Sequence, residues 1–214
     1  MTEPKTTPLS PRKVPKQQRS IALVAALKET CLRILRSEGA DGLTVARLGE
    51  ESGVAITSIY EYFPTIEAVV GAVLRSIRQQ IIDEHLVDLK NPDAFASLHD
   101  YLLHAVRSSI HIRLALAELH REIYRRHVDE FDTPNLLLLE SWEDFNAASP
   151  GVRLVMERFR SEVTFAELDN ATYMTVRMLQ VATRAAVLER DGLLGVEPDM
   201  DRRIAATLHR LLTA

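Results

Sequence analysis

Apolar residues recur three and four positions apart along nearly the whole chain, which predicts helices almost throughout. A first helix is expected from about Gln18 to Ser37, with Val24, Leu27, Cys31, Ile34 and Leu35 along one face. Gly39 and the Asp41-Gly42 dipeptide end it. Thr44 can cap a short second helix whose inward positions are Val45 and Leu48. Gly53 then breaks the pattern, since glycine supplies the positive φ of a tight turn. A third helix, Ala55 to Tyr62, turns Ile59 and Phe63 inward. Pro64 bends the chain, and Thr65 caps a longer helix from Ile66 to about Leu86 that carries Val69, Val70, Val73, Leu74, Ile77, Ile81 and Ile82.

Beyond Asn91-Pro92 the spacing stays helical. Helices are expected over Asp93 to Ile110, Ile112 to Phe131, Pro134 to Ala148, Val152 to Val163 and Glu167 to Glu189, with a last one opened by Pro198. Pro150-Gly151 reads as a break, as do Asp191-Gly192 and Gly195. The expected fold class is all-α, with an N-terminal three-helix domain over residues 19–65 and a C-terminal helical domain over 66–214. The fourth helix is long enough to belong to both.

Two short helices about a glycine-containing turn make a helix-turn-helix, whose second helix enters the major groove of DNA. The run Gly53-Val54, Ile59-Tyr60 and Tyr62-Phe63, with Glu67 beginning the next helix, resembles the DNA-binding domain of TetR-family transcriptional regulators. The resemblance is specific over roughly Ile21 to Leu74; beyond, it rests on length and helical pattern. Three positions depart from the family pattern. Thr57 stands where a small residue or glycine is common, Ile66 where lysine is usual, and Arg47 where a capping-box acid is expected. Ile66 removes a phosphate contact, so compensation is expected elsewhere.

Charge gives a candidate for that compensation. The chain of 214 residues is acidic overall, at −4, yet residues 1 to 20 hold Lys5, Arg12, Lys13, Lys16 and Arg19 against Glu3 alone. A basic arm on an acidic body points to DNA contact at one end. Residues 1–18 lack apolar periodicity and contain Pro4, Pro8, Pro11 and Pro15, so they are expected to be disordered in isolation. Either the arm touches phosphates or a minor groove, or it is a solvated tail.

The third helix has no lysine or arginine. Its candidate DNA-facing residues are Ile56, Thr57, Ser58, Tyr60 and Tyr62, with Thr44 at the start of the motif and Arg12, Lys13, Lys16 and Arg19 from the arm. Hydroxyls can bond phosphates or base edges, and Ile56 or the Thr57 methyl can rest on a thymine methyl. The competing reading makes Tyr60 and Tyr62 core aromatics of a small domain.

In the C-terminal domain, Tyr101, Trp142, Phe145, Phe159 and Tyr173, with His104 and Arg177 as polar edges, are candidates to line a ligand pocket. Ordinary core is the alternative for each. Ala171, Thr175, Ala182, Ala185 and Ala186 form a small-residue stripe on the penultimate helix. With Ile204, Leu208 and Leu211 of the last helix they suit close packing, as a dimeric four-helix bundle or within one subunit. In TetR-like proteins these two helices dimerise.

Catalytic and cofactor chemistry is not signalled. No HExxH, GxSxG, P-loop or GxGxxG occurs, and the seven histidines lack metal-ligand spacing, so no metal and no cofactor is expected. The single cysteine, Cys31, excludes an intrachain disulfide and suits a reducing cytoplasm. No signal peptide or membrane span is expected either. The resemblance implies a homodimeric regulator that binds operator DNA, a repressor released by an unidentified small-molecule effector. A ligand-independent regulator, an activator, or a helical enzyme or binding protein with a similar helix pair are the alternatives.

Overall fold

The computed structural model describes residues 9–90, 94–131, 150–190 and 193–214. They are helical apart from residues 9–17, connecting turns and one hairpin, and they divide into two compact units. The first runs up to Arg78 and adds Leu116–His127; the second takes Gln79–Ala115 and the described residues from Val128 onward. The boundaries at 78/79 and 115/116 each fall inside a helix, and the one at 127/128 falls between two.

In the first unit, α1 (Gln18–Glu38) buries Leu27, Thr30, Cys31, Ile34 and Leu35 and stops at Gly39. The Thr44 hydroxyl accepts from the Arg47 amide at 3.1 Å and caps α2 (Val45–Ser52). Gly53 closes α2 in the left-handed region, φ 68°. A Cβ there would meet nothing within 4 Å, so the glycine answers to the backbone angle and not to crowding. α3 (Ile56–Tyr62) buries Ile59, and Phe63 is buried just after it. The Thr65 hydroxyl accepts from the Ala68 amide at 3.2 Å, starting α4 (Ile66–Lys90), whose Ala68, Val69, Val70, Val73 and Leu74 are buried.

The central helices differ from expectation. One helix, α5 (Leu98–Leu119), passes without a break through Ile110 and Ile112. It starts later than Asp93 because Ser97 caps it, the hydroxyl accepting from the Asp100 amide at 3.1 Å. The break comes at His120, whose Nδ1 accepts from the Ile123 amide at 3.4 Å and caps α6 (Arg121–Arg126). Desolvation by burial lowers the pKa of His120 first of all, which keeps the ring neutral and Nδ1 able to accept. The single turn α7 (Val128–Phe131) follows. The helix expected over Pro134 to Ala148 lies outside the described residues.

In the second unit, α8 (Pro150–Arg158) begins at the proline expected to be a break, a residue tolerated at the first helical position. α9 (Leu168–Ala186) ends short of Glu189. The chain continues as β1 (Val187–Arg190), antiparallel to β2 (Leu193–Val196) with Arg190 opposite Leu193. Asp-Gly between Val187–Arg190 and the apolar Leu193–Val196 is a hairpin signal, and it overrides the helical period there. α10 (Met200–Thr213) closes the chain. Leu98, Tyr101, Leu102, Met156, Phe159 and Leu208 belong to one buried cluster drawn from α5, α8, α10 and the turn after α8.

Candidate nucleic-acid interface

The turn between α2 and α3 determines which side of α3 faces outward. Val54 donates its amide to Gly49 O at 3.1 Å, and Ala55 O accepts from the amides of Ser58 and Ile59. Ile59 is 1% exposed on the inner face, while Ile56 at 46% and Tyr60 at 42% flank it towards solvent. Thr57 is exposed beside them, Ser58 is half-buried, and Thr44 is exposed while its hydroxyl caps α2. Tyr60 is therefore not a core aromatic. A half-exposed isoleucine and tyrosine one turn apart, with hydroxyls alongside, can offer apolar contact to a thymine methyl and hydrogen bonds to phosphates or base edges.

The basic arm is docked in its described part. Residues 9–17 form no helix or strand, yet Leu9 is buried, at 1% exposure. Arg75 Nη2 donates to Leu9 O at 2.7 Å. The Arg12 amide donates to Tyr62 O at 2.8 Å. Lys13 Nζ lies 3.1 Å from Glu61 Oε2 and 4.4 Å from the centroid of the Tyr62 ring, which is half-buried. Residues 9–13 thus depart from the expected isolated disorder, because one apolar side chain found a seat on α4. Arg12, Lys16 and Arg19 remain exposed.

In the second unit the pocket candidates only partly converge. Tyr101 and Phe159 are buried in the same cluster. Phe95 meets Tyr101 edge-on at 5.5 Å and His104 at 5.2 Å between ring centres. Burial raises the pKa of the Tyr101 hydroxyl, which stays neutral. Tyr173 and Arg177 are half-buried on α9, where Tyr173 packs with Val176. Trp142 and Phe145 lie outside the described residues.

Of the small-residue stripe, Ala171, Thr175 and Ala186 are buried within the single chain, as are Ile204 and Leu208 of α10. Ala182 is half-buried. Ala185 and Leu211 are exposed, and Val181, which sequence reasoning passed over, is 62% exposed.

Arg113 was also passed over. It is buried in the second unit, with Nε donating to Thr183 Oγ1 at 3.1 Å and Nη2 to Gln180 O at 3.2 Å. Its signal was present in the sequence: it stands on the α5 face of Leu102, Val106, Ile110 and Ala117, all buried.

A glycine-turned helix pair exposing one face of its second helix, in a helical chain, defines a helix-turn-helix DNA-binding protein. Residues 29–73 match the model for bacterial regulatory proteins of the tetR family. That stretch, from the second half of α1 through α2 and α3 into α4, is similar to the DNA-binding part of such regulators. Solved structures share the fold. A candidate TetR-family regulator from Mesorhizobium loti is 16% identical with a TM-score of 0.56, covering 91% of this chain and 96% of its own. RolR in complex with resorcinol is 18% identical at 0.54, covering 93% and 91%. A TetR regulator from Haloarcula marismortui is 15% identical at 0.53, covering 91% and 100%. No curated protein matches the chain.

Proposed function

We propose that the protein is a homodimeric repressor that binds a two-fold symmetric operator and leaves it when a small effector occupies its C-terminal domain, residues 66–214. The observation that carries the DNA reading is the exposure of Ile56, Thr57 and Tyr60 on a helix anchored by buried Ile59. Thr57, Ser58 and Tyr62 read or clamp the duplex with them, Thr44 donates to a phosphate, and Arg12, Lys16 and Arg19 add charge.

The dimer forms on the outward side of α9 and α10, centred on Val181, Ala185 and Leu211, with Ala182 at its edge. Dimeric binding to successive major grooves needs the two α3 helices about 34–36 Å apart. α4 contributes residues to both units, so it is the element through which effector binding changes that spacing. An effector acts only through its different affinity for the two states. RolR, with the same fold, holds resorcinol, which supports a small-molecule effector here. Its site is drawn from Tyr101, His104, Phe159, Tyr173 and Arg177, together with Trp142 and Phe145. Operator binding and the buried thiol of Cys31 suit the cytoplasm.

The test is a gel shift on the DNA flanking the protein's own gene, followed by a thermal-shift screen of small molecules. A shifted band that a stabilising compound abolishes is the expected result. No shift on any flanking duplex overturns the operator reading; a shift that no stabilising compound changes removes effector release alone.

A further inference from the structure

The described part of the arm makes its contacts at the end of α3. Leu9 lies against Gly71 of α4, where an added Cβ would fall 3.0 Å from Leu9 Cβ, 3.2 Å from its carbonyl oxygen and 3.3 Å from Cδ2. A side chain at 71 would press on Leu9, which would have to give by a few tenths of an ångström, so the close approach accounts for a glycine that a helix interior otherwise disfavours. Arg75, one turn further along α4, holds the Leu9 carbonyl.

From that anchor the chain reaches the C-terminal end of α3 three residues later. The Arg12 amide satisfies Tyr62 O, and Lys13 brings an ammonium to Glu61 and the Tyr62 ring. A seven-residue helix has little stability of its own, and its last carbonyls lack partners within the helix. α3 has no side-chain cap at its start and no basic residue in its last turn. The arm supplies from outside both a donor and a cation, which are favourable at a helix C-terminus.

We propose that residues 9–13 are a strap that positions the DNA-reading helix, with Leu9 in its Gly71 seat as the positioning residue. The strap ties α4 to the far end of α3 and so fixes the direction of the Ile56 and Tyr60 face. The proposal rests on α3 being the helix that reads DNA. It assigns the arm an orienting role distinct from neutralising phosphate, since Leu9 carries no charge and acts through Tyr62 and Glu61.

The test uses the full chain with Leu9→Ala and Gly71→Ala. The first removes the anchor. The second improves helix propensity and adds one methyl aimed at Leu9, so a loss there cannot come from weakening α4. Both leave every charge in place. Dissociation constants are measured on the operator and on an unrelated duplex, and hydrogen exchange is followed at the Arg12 amide.

Each variant is expected to weaken operator binding on the order of tenfold, the size of one misplaced base contact. Binding to the unrelated duplex should stay within about twofold, and the double variant should be no worse than the poorer single one, because the two share a cause. The Arg12 amide should lose protection in both. Faster exchange at Arg12 with unchanged operator affinity would leave the strap a mere staple and overturn the proposal. Equal losses on both duplexes would overturn it as well. Tyr60→Ala serves as the control: if it binds the operator as wild type does, the DNA-reading role of α3 falls and takes the strap with it. If Tyr60→Ala fails to bind while the strap variants bind normally, only the strap proposal falls.

Discussion

Lys13 holds its ammonium 4.4 Å above the ring of Tyr62 while pairing with Glu61 at 3.1 Å. An exposed pair of this kind adds little stability, but it neutralises a carboxylate on the helix proposed to approach phosphate. The charge of Lys13 is thereby committed to Glu61, and in the proposed complex phosphate contact would fall to Arg12, Lys16 and Arg19. Replacing those three with Gln should flatten the slope of log affinity against log salt by about 0.9 for each phosphate no longer neutralised. Lys13→Gln should change the slope less than any of them. A salt titration on one operator measures this, and equal slopes for the triple variant and the wild type would make the arm's cations bystanders.

Neighbouring residues of α3 should separate function from stability. Tyr60 is exposed and Ile59 is buried. Tyr60→Ala or Thr57→Ala should lose about 1–3 kcal/mol of operator discrimination with an unchanged melting temperature. Ile59→Ala should instead cost about 2–5 kcal/mol of folding stability, through the cavity it leaves. Binding assays paired with thermal melts distinguish them; a destabilised Tyr60→Ala protein would contradict the assignment of faces.

Burial pushes the Cys31 thiol up from 9.0 to about 12. The folded state therefore holds its proton after the unfolded chain has released it. Because the unfolded chain then binds fewer protons, stability falls as pH rises from about 9 towards 12, by up to about 1.4 kcal/mol per pH unit from this group. Cys31→Ala should lose that part of the slope, read from denaturant melts at pH 8 to 11. In the native protein, thiol reagents should label Cys31 only as fast as its helix opens.

Assembly should be sensitive at one exposed position. Ala185→Glu adds a charge that a lone chain leaves in water but a close helix contact between subunits would strip of solvent. Sedimentation should show a monomer with a native helical spectrum. An unchanged dimer would move the interface away from the outer side of α9.

Much of the molecule was legible in the sequence, because the signals involved are local. The spacing of Leu27, Cys31, Ile34 and Leu35, the Thr44 and Thr65 caps and the Gly53 stop each act within about a turn of backbone. They define the glycine-turned helix pair without any tertiary contact. Ser97 and Asp191-Gly192 were equally local signals, for a cap and a hairpin, and were outweighed by helical periodicity around them.

Other features depend on residues far apart in sequence. Which of Tyr60 and Tyr62 faces outward was decided by how α3 packs on its own unit and by Lys13 lying over Tyr62. Arg113 is buried because Thr183 and Gln180, some seventy residues on, meet its guanidinium. Leu9 reads, like Val14, as an isolated apolar residue in a polar, proline-rich arm, with no period to mark it. Only the fold brings Gly71 and Arg75 to it, and a seat made by absence of a side chain on a distant helix leaves no trace in the pattern beside Leu9. The sequence therefore determined the helices and the motif, while tertiary packing decided what each face of them meets.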